Sequence, residues 1–198
     1  DGVPYRFLGV NRYNLLTQGN PYRGCGHDWD EAELDAWFAE VKAMNCNSVR
    51  FWCFQLFNLS GYLEWSRFDY LLSLAAKYDV KLIPVLENQW DSCTSGGIKY
   101  YSWYRTFYKY PYGTYTYSYR GYVYRIVNRY KGNPNILMWQ LMNEAESTNS
   151  DRSINYPDDL FHFACDMSAY IKSIDPNHLV SLGTMGGNQP GTAWELYR

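Results

Sequence analysis

Ile136-Leu137-Met138-Trp139-Gln140-Leu141-Met142 is a short apolar run that ends abruptly at Asn143-Glu144. Beyond it, Leu160, Phe163, Ala164, Met167, Ile171 and Ile174 recur at helical spacing until Asp175-Pro176 breaks the pattern, and a second run, His178 to Gly183, follows at once. Run, amphipathic segment, run is the sequence form of a βαβ unit, because parallel strands need a crossover long enough to hold a helix.

The alternation extends over the rest of the chain. Arg6 to Val10 reads as a first strand, and Leu34, Trp37, Phe38, Val41 and Met44 mark a helix that Asp30 is placed to cap. Asn47 to Phe54 is a second strand, Phe68, Leu71, Leu72 and Ala75 a second helix, and Lys81 to Glu87 a third strand, weakened by Pro84. Tyr122, Val123, Ile126, Val127 and Tyr130 give the helix that Gly132-Asn133-Pro134 stops. Five strands alternating with four helices predict an α/β fold with a parallel sheet. Sequential order gives part of a TIM-type barrel, and a reversal gives a doubly wound sheet. A (β/α)8 barrel takes eight strands and typically about 250 residues. Residues 1–198 are therefore either a complete five-stranded domain or one partial barrel domain holding about the first five strands, with the C-terminal strands missing.

Composition excludes several classes. With 46% hydrophobic residues and a net charge of −2, the chain is neither disordered nor built to coat nucleic acid. No apolar run approaches the roughly 18 residues of a membrane span, so no membrane association is expected. The five cysteines and three histidines show no metal-ligand spacing, and Gly183-Thr184-Met185-Gly186-Gly187 lacks the rest of a phosphate loop; no metal and no cofactor are expected. Cys46, Cys53 and Cys165 read as small buried hydrophobes, whereas Cys25 and Cys93 lie in polar contexts and could pair in a secreted protein. Asp1-Gly2-Val3-Pro4 is not a signal peptide, and Asn58-Leu59-Ser60 is a glycosylation sequon.

The 21 Tyr, 8 Trp and 9 Phe are an excess, and it has a location: 12 Tyr, with Trp103 and Phe107, fall between Tyr100 and Tyr130. Rings stack on the C–H faces of sugars, so a ring-dense third-strand loop suits a polysaccharide cleft. Tyr122, Tyr124 and Tyr130 are expected to pack or flank the helix instead. The same tract holds Lys99, Arg105, Lys109, Arg120, Arg125, Arg129 and Lys131 with no acid between Ser92 and Asn143. Rings interleaved with bases can also bind single-stranded nucleic acid, but no nucleic-acid motif accompanies them.

In parallel α/β folds chemistry sits at the carboxyl ends of strands. Those ends offer Asn11 and Tyr13, then Arg50 and Trp52 on one face of the second strand, then Glu87, Asn88, Trp90 and Asp91, and finally Asn143 and Glu144. Asn11, Tyr13, Trp52, Asn88 and Trp90 are the substrate-binding candidates, and Arg50, Asn143 and Glu144 the catalytic ones. Arg50 lies within Ser48-Val49-Arg50-Phe51-Trp52, where a charge needs a partner, expected to be a carboxylate. Glu144 at the mouth of an apolar strand suits a general acid, and Asn143 can donate to a substrate hydroxyl.

Trp139-Gln140-Leu141-Met142-Asn143-Glu144, preceded by Gly132-Asn133-Pro134-Asn135-Ile136, resembles the fourth-strand signature of the retaining β-glycosidases of glycoside hydrolase family 5. Asn47 to Trp52 resembles its second-strand Arg segment, Gly9-Val10-Asn11 its first strand, and Ser173 to Val180 the entry to its fifth. Asn88-Gln89-Trp90-Asp91, with Gly96-Gly97 and Tyr100, is similar to the third loop of the endo-β-mannanase branch. The resemblance implies hydrolysis of a β-1,4-linked polysaccharide, mannan or a cellulose-type glucan, by a secreted enzyme. Glu144 would be the acid/base, Asn143 the contact to the sugar 2-hydroxyl, Arg50 the residue that keeps the nucleophile ionised, and Trp90 a wall of the sugar subsites. Two departures stand out: Ala145-Glu146 follows where mannanases continue with Pro and Arg, and Glu87-Asn88-Gln89-Trp90 replaces their Asn-Asn-Trp loop.

Retaining hydrolysis needs two carboxylates about 5–5.5 Å apart. The family's nucleophile is a Glu ending the seventh strand, which the strands read here do not include, so this stretch alone is expected not to turn over substrate. Glu87 on the neighbouring strand is a poor substitute, and Glu146 and Glu195 are expected in solvated loops. A non-catalytic carbohydrate-binding relative is the alternative.

Overall fold

Ser48–Trp52, here β2, alternates strictly: Val49 and Phe51 are fully buried on one face, while Arg50 and Trp52 are part-exposed on the other. It is flanked by β1 (Gly9–Asn11) and β3 (Lys81–Val85), and β4 (Met138–Gln140) and β5 (Leu179–Ser181) complete the sheet. The order is β1-β2-β3-β4-β5 with every pair parallel, which is the sequential arrangement and not the doubly wound one. The computed structural model describes residues 4–16, 29–58 and 65–186; Cys25, Leu59, Ser60, Glu195 and both ends of the chain lie outside them.

The strands are shorter than their apolar runs but centred on them. In β3 the reason is chemical. Leu82 N–H and Leu86 N–H donate to the carbonyls of Asn135 and Gln140, so Pro84, of the same parity, faces β4 without a proton to give. The β3–β4 ladder accordingly shrinks to Val85↔Gln140 and an isolated Leu82↔Ile136 bridge.

Helices cover the outer face. α1 (Glu31–Ala43) starts at a full capping box, the Asp30 carboxylate accepting from Glu33 N–H at 2.7 Å while Glu33 accepts from Asp30 N–H at 3.0 Å. Its Leu34, Phe38 and Val41 are buried, but Met44, expected on the same stripe, is exposed just past the helix end. After β2 come a short helix, α2 (Gln55–Asn58), and then α3 (Ser66–Tyr78), which buries Phe68, Leu71, Leu72, Leu74 and Ala75. The long connection after β3 is not structureless: it contains α4 (Tyr101–Arg105) and a 3-10 turn, Phe107–Lys109, before α5 (Tyr119–Tyr130). α6 (Pro157–Ile174) buries Leu160, Phe163, Met167 and Ile171. Cys46 and Cys53 are buried thiols as expected, whereas Cys165 is exposed on α6.

The ring-rich tract resolves differently from the expected sugar cleft. Trp103, Tyr104, Tyr108 and Tyr119 are buried and surround Phe163 of α6 at centroid distances of 5.0–5.8 Å. Offset and edge-on ring pairs of this kind add roughly 0.5–1.5 kcal/mol each beyond the area they bury. Four rings of the tract therefore fasten the third loop to α6. Five of the seven basic side chains are likewise paired with acids, while Arg125 lies over the Tyr117 ring and Lys131 donates to Asn128. Arg105 forks onto Asp159, Lys109 and Arg120 meet Asp166, Arg129 meets Asp69, and Lys99 meets Glu87.

Candidate active site

Arg50 is the centre from which the site is built. The register puts Asn11 beside it, and its Nη1 donates to Asn11 Oδ1 at 3.0 Å. Its Nε donates to Gln140 Oε1 at 2.7 Å and its Nη2 to Asn143 Oδ1 at 2.9 Å. The partners are three amide oxygens; no carboxylate lies within ion-pair distance among the described residues, contrary to the expected salt bridge. Amides satisfy the donors without cancelling the charge, so the guanidinium remains a net cation. Burial draws its pKa down, and the nearby Glu144 charge partly offsets that.

Asn143 and Asn88 are bridged across β3 and β4, and Asn143 Nδ2 donates to Asn88 Oδ1 at 3.0 Å. Asn88 is buried, its own Nδ2 held by the Ser92 carbonyl at 2.7 Å, so both ends of its amide are spent inside the protein. It can reach a ligand only through Asn143, a positioning place and not the direct contact envisaged for it. Glu144 follows with φ 58, a left-handed backbone uncommon for a non-glycine residue, and its part-exposed carboxylate accepts from Trp90 Nε1 at 2.5 Å. At the top of β5, Gly183 lies so near that a Cβ on it would meet the Met142 carbonyl oxygen at 1.9 Å. Glycine there lets the fifth strand close against the Asn143–Glu144 turn.

Tyr13 and Trp52 form a wall, their centroids 4.6 Å apart, with Phe54 stacked behind Trp52 at 4.9 Å. The Trp52 indole nitrogen is buried without a hydrogen-bond partner among the described residues. Hydrogen bonds thus join Arg50, Asn11, Asn143 and Asn88 in one set and Trp90 to Glu144 in another, while Tyr13 and Trp52 join the site as a wall of rings.

Sequence reasoning missed the polar frame behind this surface. Glu87 is fully buried: its Oε1 accepts from Asn88 N–H at 2.8 Å and Thr94 Oγ1 at 2.7 Å, its Oε2 from Tyr112 OH at 2.6 Å, and Lys99 Nζ lies 3.5 Å away. Burial draws the Lys99 pKa down and holds the Tyr112 hydroxyl well above its ordinary value. Gln89 donates to the Lys99 carbonyl at 2.6 Å and accepts from Tyr104 OH. Glu146, expected in solvent, is buried and paired with Arg152 at 2.8 Å, because the loop folds back on itself. Cys93 is disulfide-bonded, to a partner outside the described residues, where its expected partner Cys25 also lies. Lys99→Met is expected to cost about 2 kcal/mol, short of the full penalty for a broken buried pair because Glu87 keeps three other donors. Adding Glu87→Gln should return much of that loss, as thermal unfolding of the four corners of the cycle would show.

The sequence model of the cellulase family, glycosyl hydrolase family 5, matches residues 13–195. The chain belongs to glycosyl hydrolase family 5. Its five strands are those of the (β/α)8 barrel. A probable mannan endo-1,4-beta-mannosidase F of Neosartorya fischeri is 36% identical over 212 residues, covering 94% of this chain and 42% of that protein. A mannan endo-1,4-beta-mannosidase A of Podospora anserina is 33% identical over 67% of this chain and 34% of its own. Among solved structures, the endo-1,4-beta-mannanase of Rhizomucor miehei superposes with a TM-score of 0.70 at 26% identity, over 94% of this chain and 58% of that one. The hyperthermostable endo-1,4-beta-D-mannanase of Thermotoga petrophila gives 0.66, also at 26% identity, over 92% and 56%. The family 5 chain described here thus spans less than half the length of the curated relatives it matches.

Proposed function

We propose that the whole protein hydrolyses β-1,4-linked polysaccharide, mannan in preference to glucan, by double displacement with retention, and that Glu144 is its acid/base. The observation that carries this is the Glu144 carboxylate at the carboxyl end of β4, on a left-handed backbone, held by the Trp90 indole and adjoining an Asn143 locked by Arg50 and Asn88. One oxygen is fixed by a neutral donor and the carboxyl remains part-exposed, so it can give a proton to a glycosidic oxygen and take one back from water. The unpaired positive charge of Arg50 supports a second carboxylate close by, the nucleophile, which would stay ionised beside it. Asn143 would meet the sugar 2-hydroxyl, and Trp90, Trp52, Tyr13 and Asn11 would line the subsites. Acidic partners neutralise five of the seven basic residues of the tract, which supports a sugar chain over a nucleic acid as the ligand. Mannan is preferred because the named relatives are mannanases. The disulfide at Cys93 supports an oxidising, extracellular setting.

The test is the full-length protein on a soluble galactomannan and on carboxymethyl cellulose, with the first-formed anomer followed by proton NMR. Faster release of reducing ends from the mannan with the β-anomer appearing first is expected. Cleavage of neither polymer, or the α-anomer first, would overturn the proposal.

A further inference from the structure

The loop after Glu144 is a small ordered hairpin. Thr148 and Asn155 form an antiparallel bridge, the Asn149 side chain accepts from Ile154 N–H at 3.0 Å, and Arg152 at the tip adopts φ 60. The guanidinium of Arg152 touches the rest of the site in two directions. Its Nη2 stands 2.8 and 3.1 Å from the two carboxylate oxygens of Glu146, and its central carbon is 5.2 Å from the centroid of the Trp90 ring. Trp90 in turn donates to Glu144. A line runs from a carboxylate through a guanidinium and an indole to the carboxylate assigned to proton transfer. The two members of the ion pair differ: the Glu146 side chain is 1% exposed, the Arg152 side chain 46%.

We propose that Glu146 and Arg152 are positioning residues that act through Trp90 to orient the Glu144 carboxyl for proton transfer. This rests on the acid/base role proposed for Glu144. Glu146, with Ala145, stands where the family resemblance implies Pro and Arg. A cation on the face of an indole withdraws density and makes the ring N–H a stronger donor. A stronger donor favours the ionised carboxylate that the second half of a double displacement requires. Glu146 works in the opposite sense. It lies close enough to Glu144 for the two negative charges to oppose each other; burial raises its pKa, and the Arg152 charge offsets that in part. Among the described residues, Arg50 on β2 also acts on Glu144 by charge, and it is unchanged when the hairpin pair is altered.

The test is the pH dependence of kcat/KM of the full-length protein on β-mannan, whose basic limb reports the free enzyme's proton donor. Arg152→Gln strips the cation from Trp90 and leaves Glu146 uncompensated, so the limb should move up by about 0.5–1 pH unit. Glu146→Gln frees the guanidinium and should move it down by a similar amount, and the double variant should return it close to wild type. Arg152→Lys, which keeps the charge, guards against misfolding and should leave the limb near its original place. A lower kcat with the limb unmoved in all four would overturn the proposal and make the pair merely structural. A second readout separates this from the functional reading. The Trp90 indole N–H resonance, assigned with Trp90→Phe, should titrate in the wild type, lose its inflection in Glu144→Gln, and shift with the same signs in the hairpin variants. An inactive protein whose indole titrates this way would sink the acid/base role alone. An active protein whose indole midpoint is indifferent to Arg152 and Glu146 would sink the positioning role alone.

Discussion

Glu144→Ala in the full-length protein is expected to cleave β-mannan about 10²–10⁴-fold more slowly than wild type. The same variant should lose far less on an aryl β-mannoside whose phenol departs as a stable anion. A sugar alkoxide needs a proton to leave and a nitrophenolate does not, so only the first substrate feels the missing acid. The second half-reaction then becomes slow, because water has lost its base. Azide, which needs no deprotonation, should speed the variant on the aryl substrate and leave the wild type unaffected. The part-exposed carboxylate and its single neutral donor make this separation possible, since removing it unpairs only the Trp90 indole. Equal losses on both substrates, with no azide effect, would mean that Glu144 acts by holding the structure together.

The second large effect is expected at Arg50. Arg50→Met removes the donor to Asn11, Gln140 and Asn143 together, leaving three inward-facing amide oxygens to find water. Discounted for the partial exposure of the group, the cost should be about 2–3 kcal/mol in unfolding free energy. kcat/KM should fall about 100-fold, because Asn143 loses its anchor and misplacement on the scale of an ångström carries a penalty of that size. Arg50→Lys is not a conservative control. A single ammonium cannot span three acceptors in the plane of a guanidinium, so it should recover part of the stability and little of the activity. Thermal melts beside steady-state kinetics would show this, and an Arg50→Lys enzyme within threefold of wild type would contradict the anchoring role.

The fold was legible because its signals are local and periodic. The Phe38–Val41 and Phe163–Met167 stripes, the Asp30 capping box and the Val49–Phe51 alternation each need only neighbouring residues to be recognised. Glu144, Asn143 and Arg50 were legible for the same reason, as charged or amide groups abutting apolar strands. What could not be read depends on residues distant in sequence. Tyr104 and Tyr119 have the composition of a sugar platform and became core because Phe163 of α6 packs among them. A cation in an apolar strand predicted a carboxylate partner, but three amides on β1, β4 and the β4 loop can share one guanidinium, and no local pattern announces that geometry. Glu146 looked solvated because Arg152, which folds back onto it, has nothing in its own neighbourhood to mark it. The one signal in the sequence was Ala145-Glu146 in place of the Pro and Arg that the resemblance implies.

Three carboxylates, Glu87, Glu144 and Glu146, crowd the carboxyl ends of β3 and β4, and the account assigns proton transfer to one of them. The most direct test is kcat on a β-mannan oligosaccharide for full-length wild type, Glu144→Gln, Glu146→Gln and the Glu87→Gln/Lys99→Met pair, each shown to be folded. A loss of more than about 100-fold is expected for Glu144→Gln alone, with the other two within about tenfold of wild type. Glu144→Gln retaining a tenth or more of the activity, or Glu146→Gln losing as much as Glu144→Gln, would contradict it.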